Sequence, residues 1–229
     1  MSVQTRTSTR TRIKMCGFTR EADVQAAVQA GADAIGFVLY PPSPRAVSIE
    51  RAAELAALLP AFVTPVLLFV NEAPERVQAA CAAVPGALLQ FHGDETPEYC
   101  AEVSRQTGRP HLKAARIPLE AAASFDLLKF AQLHHHAQAI LLDAHVDGFG
   151  GGGKAFNWSL LPPSVNAHLV LSGGLTPANV ADGIRTLRSR ARSLAVDVSS
   201  GIEAGKGLKD ADKIRQFVDA VRAADNDAC

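Results

Sequence analysis

Cys16 and Asp143 are the two residues on which acid–base chemistry could be built. Each closes a short apolar run: Arg12-Ile13-Lys14-Met15-Cys16, and Ala139-Ile140-Leu141-Leu142-Asp143. A thiol is a base when ionised and a carboxyl is an acid when protonated. Two such groups flanking one pocket can take a proton from carbon at one place and deliver one to oxygen at another. An unperturbed thiol, with a pKa of about 8.5, is only slightly ionised at neutral pH. In an extended strand Lys14 shares a face with Cys16, where it can favour the thiolate or pair with an interior carboxylate such as Asp197, and the two roles are compatible. Asp143 must be the reverse case, kept partly protonated or reprotonated in each cycle. Taken alone, a cysteine at the end of a strand is more often a small buried hydrophobe, so the elements that position it must shift that balance.

Other polar residues stand at the ends of apolar runs. They are Gln90 with His92, the Ser172-Gly173-Gly174 turn, Asp197, and Ser199-Ser200-Gly201. Glycine turns let backbone amides approach an anion where no side chain obstructs, which favours phosphate over the plainer reading of tight turns. Arg45 ends a stretch stiffened by Pro41, Pro42 and Pro44. A guanidinium held there suits a substrate carboxylate, with a surface ion pair of little energetic value as the alternative. The Gly150-Gly151-Gly152-Gly153 run wraps a ligand or is a surface loop. His134-His135-His136 reads as a solvated turn, not a metal site, His145 lacks partners, and Trp158 packs its own short helix.

These residues belong to a repeating pattern. Strands are expected over 12–16, 34–39, 64–69, 87–91, 111–115, 139–143, 169–172 and 194–199. Helices are expected from Thr19 to 30, from a Ser48 cap to 59, over 74–84, from Thr96-Pro97, over 119–131, near Trp158, from a Thr176-Pro177 cap to 188, and over 210–223. Eight strand–helix units with apolar strands imply a parallel sheet covered by helices, and in this length the closed (β/α)8 barrel. A doubly wound open sheet is the alternative, but it would place one dominant glycine-rich turn early, and here the glycine-rich turns come late. In a barrel the carboxyl ends of all strands converge on one mouth.

The 229 residues carry 23 basic and 23 acidic side chains, so nothing points to nucleic acid or an anionic membrane as partner. No apolar run reaches membrane-spanning length. Cys16, Cys81, Cys100 and Cys229 show no zinc spacing, which suits a reducing cytosol. Residues 1–11 read as a disordered extension, 12–224 as the barrel and 225–229 as a tail.

Six segments together resemble the phosphoribosylanthranilate isomerase family. They are Lys14-Met15-Cys16-Gly17, Pro42-Ser43-Pro44-Arg45, Gln90-Phe91-His92-Gly93, Leu141-Leu142-Asp143, Ser172-Gly173-Gly174-Leu175 and Asp197-Val198-Ser199-Ser200-Gly201-Ile202-Glu203, in the family's order. The resemblance implies an Amadori rearrangement of N-(5-phosphoribosyl)anthranilate in tryptophan biosynthesis. Cys16 would remove the proton from ribose C2 and Asp143 would protonate the ring oxygen. Arg45 would lie near the anthranilate carboxylate, and Gly173, Gly174, Ser199, Ser200 and Gly201 would hold the phosphate, with His92 and Asp197 also in the substrate site. It implies no metal or cofactor, because the substrate nitrogen serves as electron sink, and a small phosphosugar as the partner of a monomer or homodimer.

The chain departs from the family where Gly-Gly-Thr-Gly and Phe-Asp-Trp usually stand: it has Gly150-Gly151-Gly152-Gly153 and Phe156-Asn157-Trp158, and Phe91 replaces a usual Leu. Two other readings remain, a related aminoaldose isomerase and a non-catalytic phosphate-ligand binder on the same fold. The first resembles an Asp/Asp enzyme, against which Cys16 counts. The second has no need of both Cys16 and Asp143.

Overall fold

Alternation along the strands sorts their side chains to two sides. Ile13, Met15, Ile35, Phe37, Leu67, Phe69, Leu89 and Phe91 join the large apolar core between sheet and helices. The residues between them point the other way, where Cys16, Val38, Leu68 and Val70 form one small cluster and Leu112, Ala114, Ala139, Leu141 and Val170 another. A strand apolar on both faces must be covered on both, and closure of the sheet covers the inner one.

The computed structural model describes residues 10–118, 125–145 and 157–227. The strands are β1 (Arg12–Cys16), β2 (Ala34–Val38), β3 (Thr64–Phe69), β4 (Leu88–Phe91), β5 (His111–Pro118), β6 (Ala139–His145), β7 (Val165–Leu171) and β8 (Ala191–Val198). They form a closed parallel barrel in chain order, completed where Lys14 of β1 pairs in register with Asp197 of β8. The helices are α1 (Glu21–Ala30), α2 (Ile49–Ala56), α3 (Pro74–Ala83), α4 (Pro97–Thr107), α5 (Leu127–Leu133), α6 (Val180–Leu187) and α7 (Ala211–Asn226). A small antiparallel hairpin, β9 (Glu203–Gly205) and β10 (Leu208–Lys209), precedes α7 and was not expected. Among the described residues no helix is long and apolar enough to cross a membrane.

Several local expectations are corrected. Thr19 does not cap α1: Arg20 is the cap residue, and the Thr19 hydroxyl donates to the Gly207 carbonyl at 3.0 Å. Helix α6 starts at Val180 rather than at Thr176-Pro177, because Asn179 turns back to accept the Thr176 N–H at 2.8 Å. The segment after β6 supplies only a 3-10 turn, Trp158–Leu160, among the described residues. Asn157 caps it by accepting from Ser159 N at 3.1 Å, so the amide does what a carboxylate would do there. β5 runs on to Pro118 because Arg116, Ile117 and Pro118 pair with Asp143, Ala144 and His145 of β6. Of the expected helix over 119–131, residues 119–124 lie outside the described residues and α5 begins at Leu127.

His134 is buried, not solvated. It packs on Phe130 with ring centroids 4.6 Å apart, and burial pushes its pKa down to about 4. Thr11 and Asp225, placed in the tails from sequence, are also buried, and the Thr11 hydroxyl donates to Asp225 Oδ1 at 2.6 Å. The residue before β1 is thereby tied to the last turn of α7.

Candidate active site

Cys16 ends β1 beside Gly36 of β2, its partner in register. A Cβ at position 36 would lie 2.7 Å from the Cys16 sulfur, so the glycine makes the room the thiol occupies. The thiol is 5% exposed, and Lys14, two residues back, is also 5% exposed. Burial pushes the thiol pKa up, Lys14 and Lys209 draw it down, and Asp197 pushes it up again, for a net rise. Lys14 Nζ stands 2.8 Å from Asp197 Oδ1, an ion contact in which neither atom makes a well-aligned hydrogen bond. Burial opposes the charge on Lys14, but Asp197 and Cys16 outweigh it and its pKa is raised. The two roles read for Lys14, thiol neighbour and partner of Asp197, coexist.

Asp143 lies on β6, one in-register step from Arg116 of β5, which sequence reading missed. Its Oδ2 is 2.9 Å from His92 Nε2, and His92 Nδ1 is 2.8 Å from the Gln90 amide nitrogen. His92, assigned to the substrate, is 6% exposed and spends both ring nitrogens on Gln90 and Asp143. With the amide donating to Nδ1, the ring carries its proton on Nε2 and donates it to the Asp143 carboxylate. Gln90 Oε1 is then buried without a partner. Turning the amide over lets Oε1 accept from Nδ1–H, and Nε2 becomes an acceptor for a protonated Asp143. The triad thus has one arrangement for each protonation state of its carboxyl.

Arg45 is buried rather than at the surface, and it is occupied: Nε and Nη2 donate to the two oxygens of Glu203 at 2.7 and 2.8 Å, leaving Nη1 for a ligand. Lys209 Nζ joins the same carboxylate at 2.9 Å. Glu203 lies in a motif quoted above but received no role there, and Lys209 was missed. Its only sequence signal is a lysine next to the Asp210 cap of α7.

The two glycine turns are neighbours. Gly173 and Gly174 have φ of 78° and 66°, consecutive positive values that glycine adopts without strain. A Cβ on Gly201 would fall 1.9 Å from the Leu175 carbonyl, so close contact of the two turns requires glycine there. Asn179 donates to the Gly174 carbonyl at 3.0 Å and pins the first turn. Ser199 donates to the Cys16 carbonyl at 3.0 Å, and Ser200–Ile202 form a short 3-10 turn. The 150–153 glycine run and Phe156 lie outside the described residues, as does the side chain of His145.

A thiol, a carboxyl and paired glycine turns at the carboxyl ends of parallel strands define a class: an acid–base enzyme on a (β/α)8 barrel. Comparison with known proteins narrows it. The family model for N-(5'-phosphoribosyl)anthranilate (PRA) isomerase matches residues 13–220. The N-(5'-phosphoribosyl)anthranilate isomerase of Methylibium petroleiphilum is 61% identical over 216 residues, covering 94% of this chain and 96% of its own. The crystal structure of the phosphoribosyl anthranilate isomerase from Thermotoga maritima superposes with a TM-score of 0.81 at 38% identity, covering 93% of this chain and 99% of that one. A phosphoribosyl anthranilate isomerase solved with reduced 1-(o-carboxyphenylamino)-1-deoxyribulose 5-phosphate matches at TM-score 0.75 and 35% identity, with the same coverage. The chain belongs to the phosphoribosylanthranilate isomerase family.

Proposed function

We propose that Cys16 and Asp143 divide between them the proton transfers of phosphoribosylanthranilate isomerisation, the Amadori step of tryptophan biosynthesis that this enzyme performs. The observation that carries the assignment is the placing of a thiol and a histidine-linked carboxyl at the ends of β1 and β6. Asp143 gives its proton to the furanose oxygen, the C1–O bond breaks, and the anthranilate nitrogen takes up the positive charge as a Schiff base. Cys16 then removes the proton from C2, the electrons flow to the nitrogen, and the resulting enolamine becomes the ketone. Burial raises the thiol pKa, and the iminium cation draws it down when the base is needed. Asp143 is reprotonated with His92 and Gln90 shifting between their two arrangements. Asp197 acts behind Cys16 through Lys14. Gly173, Gly174, Ser199, Ser200 and Gly201 take the phosphate, and Nη1 of Arg45 takes the anthranilate carboxylate. The product analogue bound to a relative supports a phosphosugar ligand of this class.

The test is turnover, followed as loss of anthranilate fluorescence from substrate made in situ. Cys16→Ala and Asp143→Asn are each expected to lose roughly 10²- to 10⁴-fold in kcat. Full activity in either variant removes that residue from its role.

A second copy of the chain is the further partner we infer. Phe62 is 99% exposed at φ 72°, an unfavourable backbone for a bulky residue, and it borders an apolar hollow of about 380 Å³ lined by Ala56, Ala57, Pro60 and Val84. A knob beside a hollow suits a two-fold pair, and the T. maritima isomerase, whose generated monomers match this chain at 35% identity and TM-score 0.75, is itself dimeric. Sedimentation velocity is expected to show a dimer, and Phe62→Glu a monomer with isomerase activity kept. A monomeric wild type overturns this. The buried free thiols of Cys16, Cys81 and Cys100 support a cytoplasmic setting.

A further inference from the structure

The buried charges around Cys16 do not cancel. β1 contributes Lys14 and β8 contributes Asp197, joined at 2.8 Å. The loop after β2 contributes Arg45, and β9 contributes Glu203, both of whose oxygens Arg45 takes. β10 adds Lys209, whose side chain is 0% exposed and whose ammonium shares Glu203 Oε1. Asp23 of α1, which accepts the Lys209 backbone N–H, is already paired with Arg20 at 2.7 Å. Asp143, on the far side, is bonded to His92. Lys213 of α7 donates to the Glu203 carbonyl at 2.7 Å and adds positive charge at the edge of the cluster. Among the described residues, three buried cations therefore face two buried carboxylates, and Cys16 is the neighbour whose ionisation would balance them. Lys209 is also tied to Cys16 through the chain: it donates to the Ser199 carbonyl at 3.0 Å, and the Ser199 hydroxyl donates to the Cys16 carbonyl at 3.0 Å.

We propose that Lys209 is a positioning residue for the isomerisation, supplying the counter-charge for the Cys16 thiolate and, through Ser199, fixing the end of β1. A buried ammonium is costly unless something on the protein answers its charge. Glu203 answers only part of it, since Arg45 already holds that carboxylate at both oxygens. The Lys209 pKa is lowered overall: burial drives the fall and Arg45 adds to it, while Glu203 and Cys16 pull it only part of the way back. Lys209 in turn draws the thiol pKa down, alongside Lys14. The proposal rests on Cys16 being the base.

The experiment is a pH titration of the Cys16 thiolate by its ultraviolet absorbance, with Cys16→Ala as blank, alongside the pH profile of kcat/KM. In Lys209→Met the thiol ionisation and the acidic limb of the profile are both expected to move about one unit alkaline, or about tenfold less thiolate at neutral pH, with KM unchanged. Lys209→Arg is expected to keep the wild-type titration. Glu203→Gln, which adds to the uncompensated charge, is expected to move it in the opposite direction, and it serves if Lys209→Met fails to fold. An unmoved thiol in Lys209→Met, a rise in KM alone (a phosphate-holding role), an Arg variant that shifts as far as Met, or a Glu203→Gln titration that does not move acidic would each overturn the proposal. Retained turnover in Cys16→Ala would instead remove the base assignment, and the titration would still report whether Lys209 acts on the thiol.

Discussion

Two buried ion clusters lie a few strands apart, and they are built to different plans. Outside the barrel wall, Lys113 of β5 donates to Glu95 at 2.7 Å and to the Gly93 carbonyl at 2.7 Å. Glu95 also accepts the N–H groups of Gly93 and Asn71 at 2.9 and 2.8 Å. Charge is balanced there, and most of the remaining bonds go to backbone, so the cluster staples the loops after β3 and β4. Around Cys16 the charges are unbalanced, and Lys14 Nζ and Asp197 Oδ1 lack a well-aligned hydrogen bond. A saturated network holds structure, and an unsaturated one holds a charge in readiness for chemistry.

The comparison can be broken at either end. The largest effect is expected at the staple: Glu95→Ala leaves Lys113 as an unpaired buried charge and should cost about 3–5 kcal/mol in denaturant unfolding. The protein that still folds should turn over substrate normally, and a proportional loss of kcat would erase the distinction drawn here. Gly36→Ala tests the other plan. Its new methyl meets the Cys16 sulfur at 2.7 Å and the Cys16 Cα at 3.2 Å, and displacement of the thiol should lower kcat about 100-fold. Unfolding should show a cost of only about 1–3 kcal/mol for the overpacking. Wild-type turnover in this variant would mean that the thiol's position is not critical.

The smallest effect concerns acid. His111 and His134, packed away from the mouth, have pKa values lowered to about 4 by burial. Between pH about 6.5 and 4 the unfolded chain binds more protons there than the folded one. Stability from these residues is therefore complete above the upper limit and lost as pH falls toward the lower one. His134→Leu should flatten the decline of melting temperature over that window by a degree or two, and an unchanged slope would show that His134 titrates normally in the fold.

Much of the candidate site was legible along the chain. The strand ends announced Cys16, Arg45, Asp143 and both glycine turns, because in a parallel barrel chemistry collects where apolar runs stop. What stayed hidden depended on distant partners. His92 reads as a ligand-facing polar residue, yet it turns to Asp143, 51 positions away. Arg45 reads as a free guanidinium, yet Glu203 holds it from 158 positions away. Gly36 looked like one more residue of an apolar strand, though a glycine inside a strand is a signal of close approach.

The sequence by itself determined the eight-unit order, the barrel and the family, and it named the two groups proposed here to exchange protons. Those follow from period, punctuation and residue type, which are local properties. Only the tertiary structure decided which charges face one another. Closure sets β8 against β1 and brings Lys209 of the β9–β10 hairpin to Ser199, which bonds the Cys16 carbonyl, and no pattern along the chain encodes the balance of charge around a thiol. Coulomb energy depends on distance in space and on the water excluded between the charges, and both exist only after the barrel has closed.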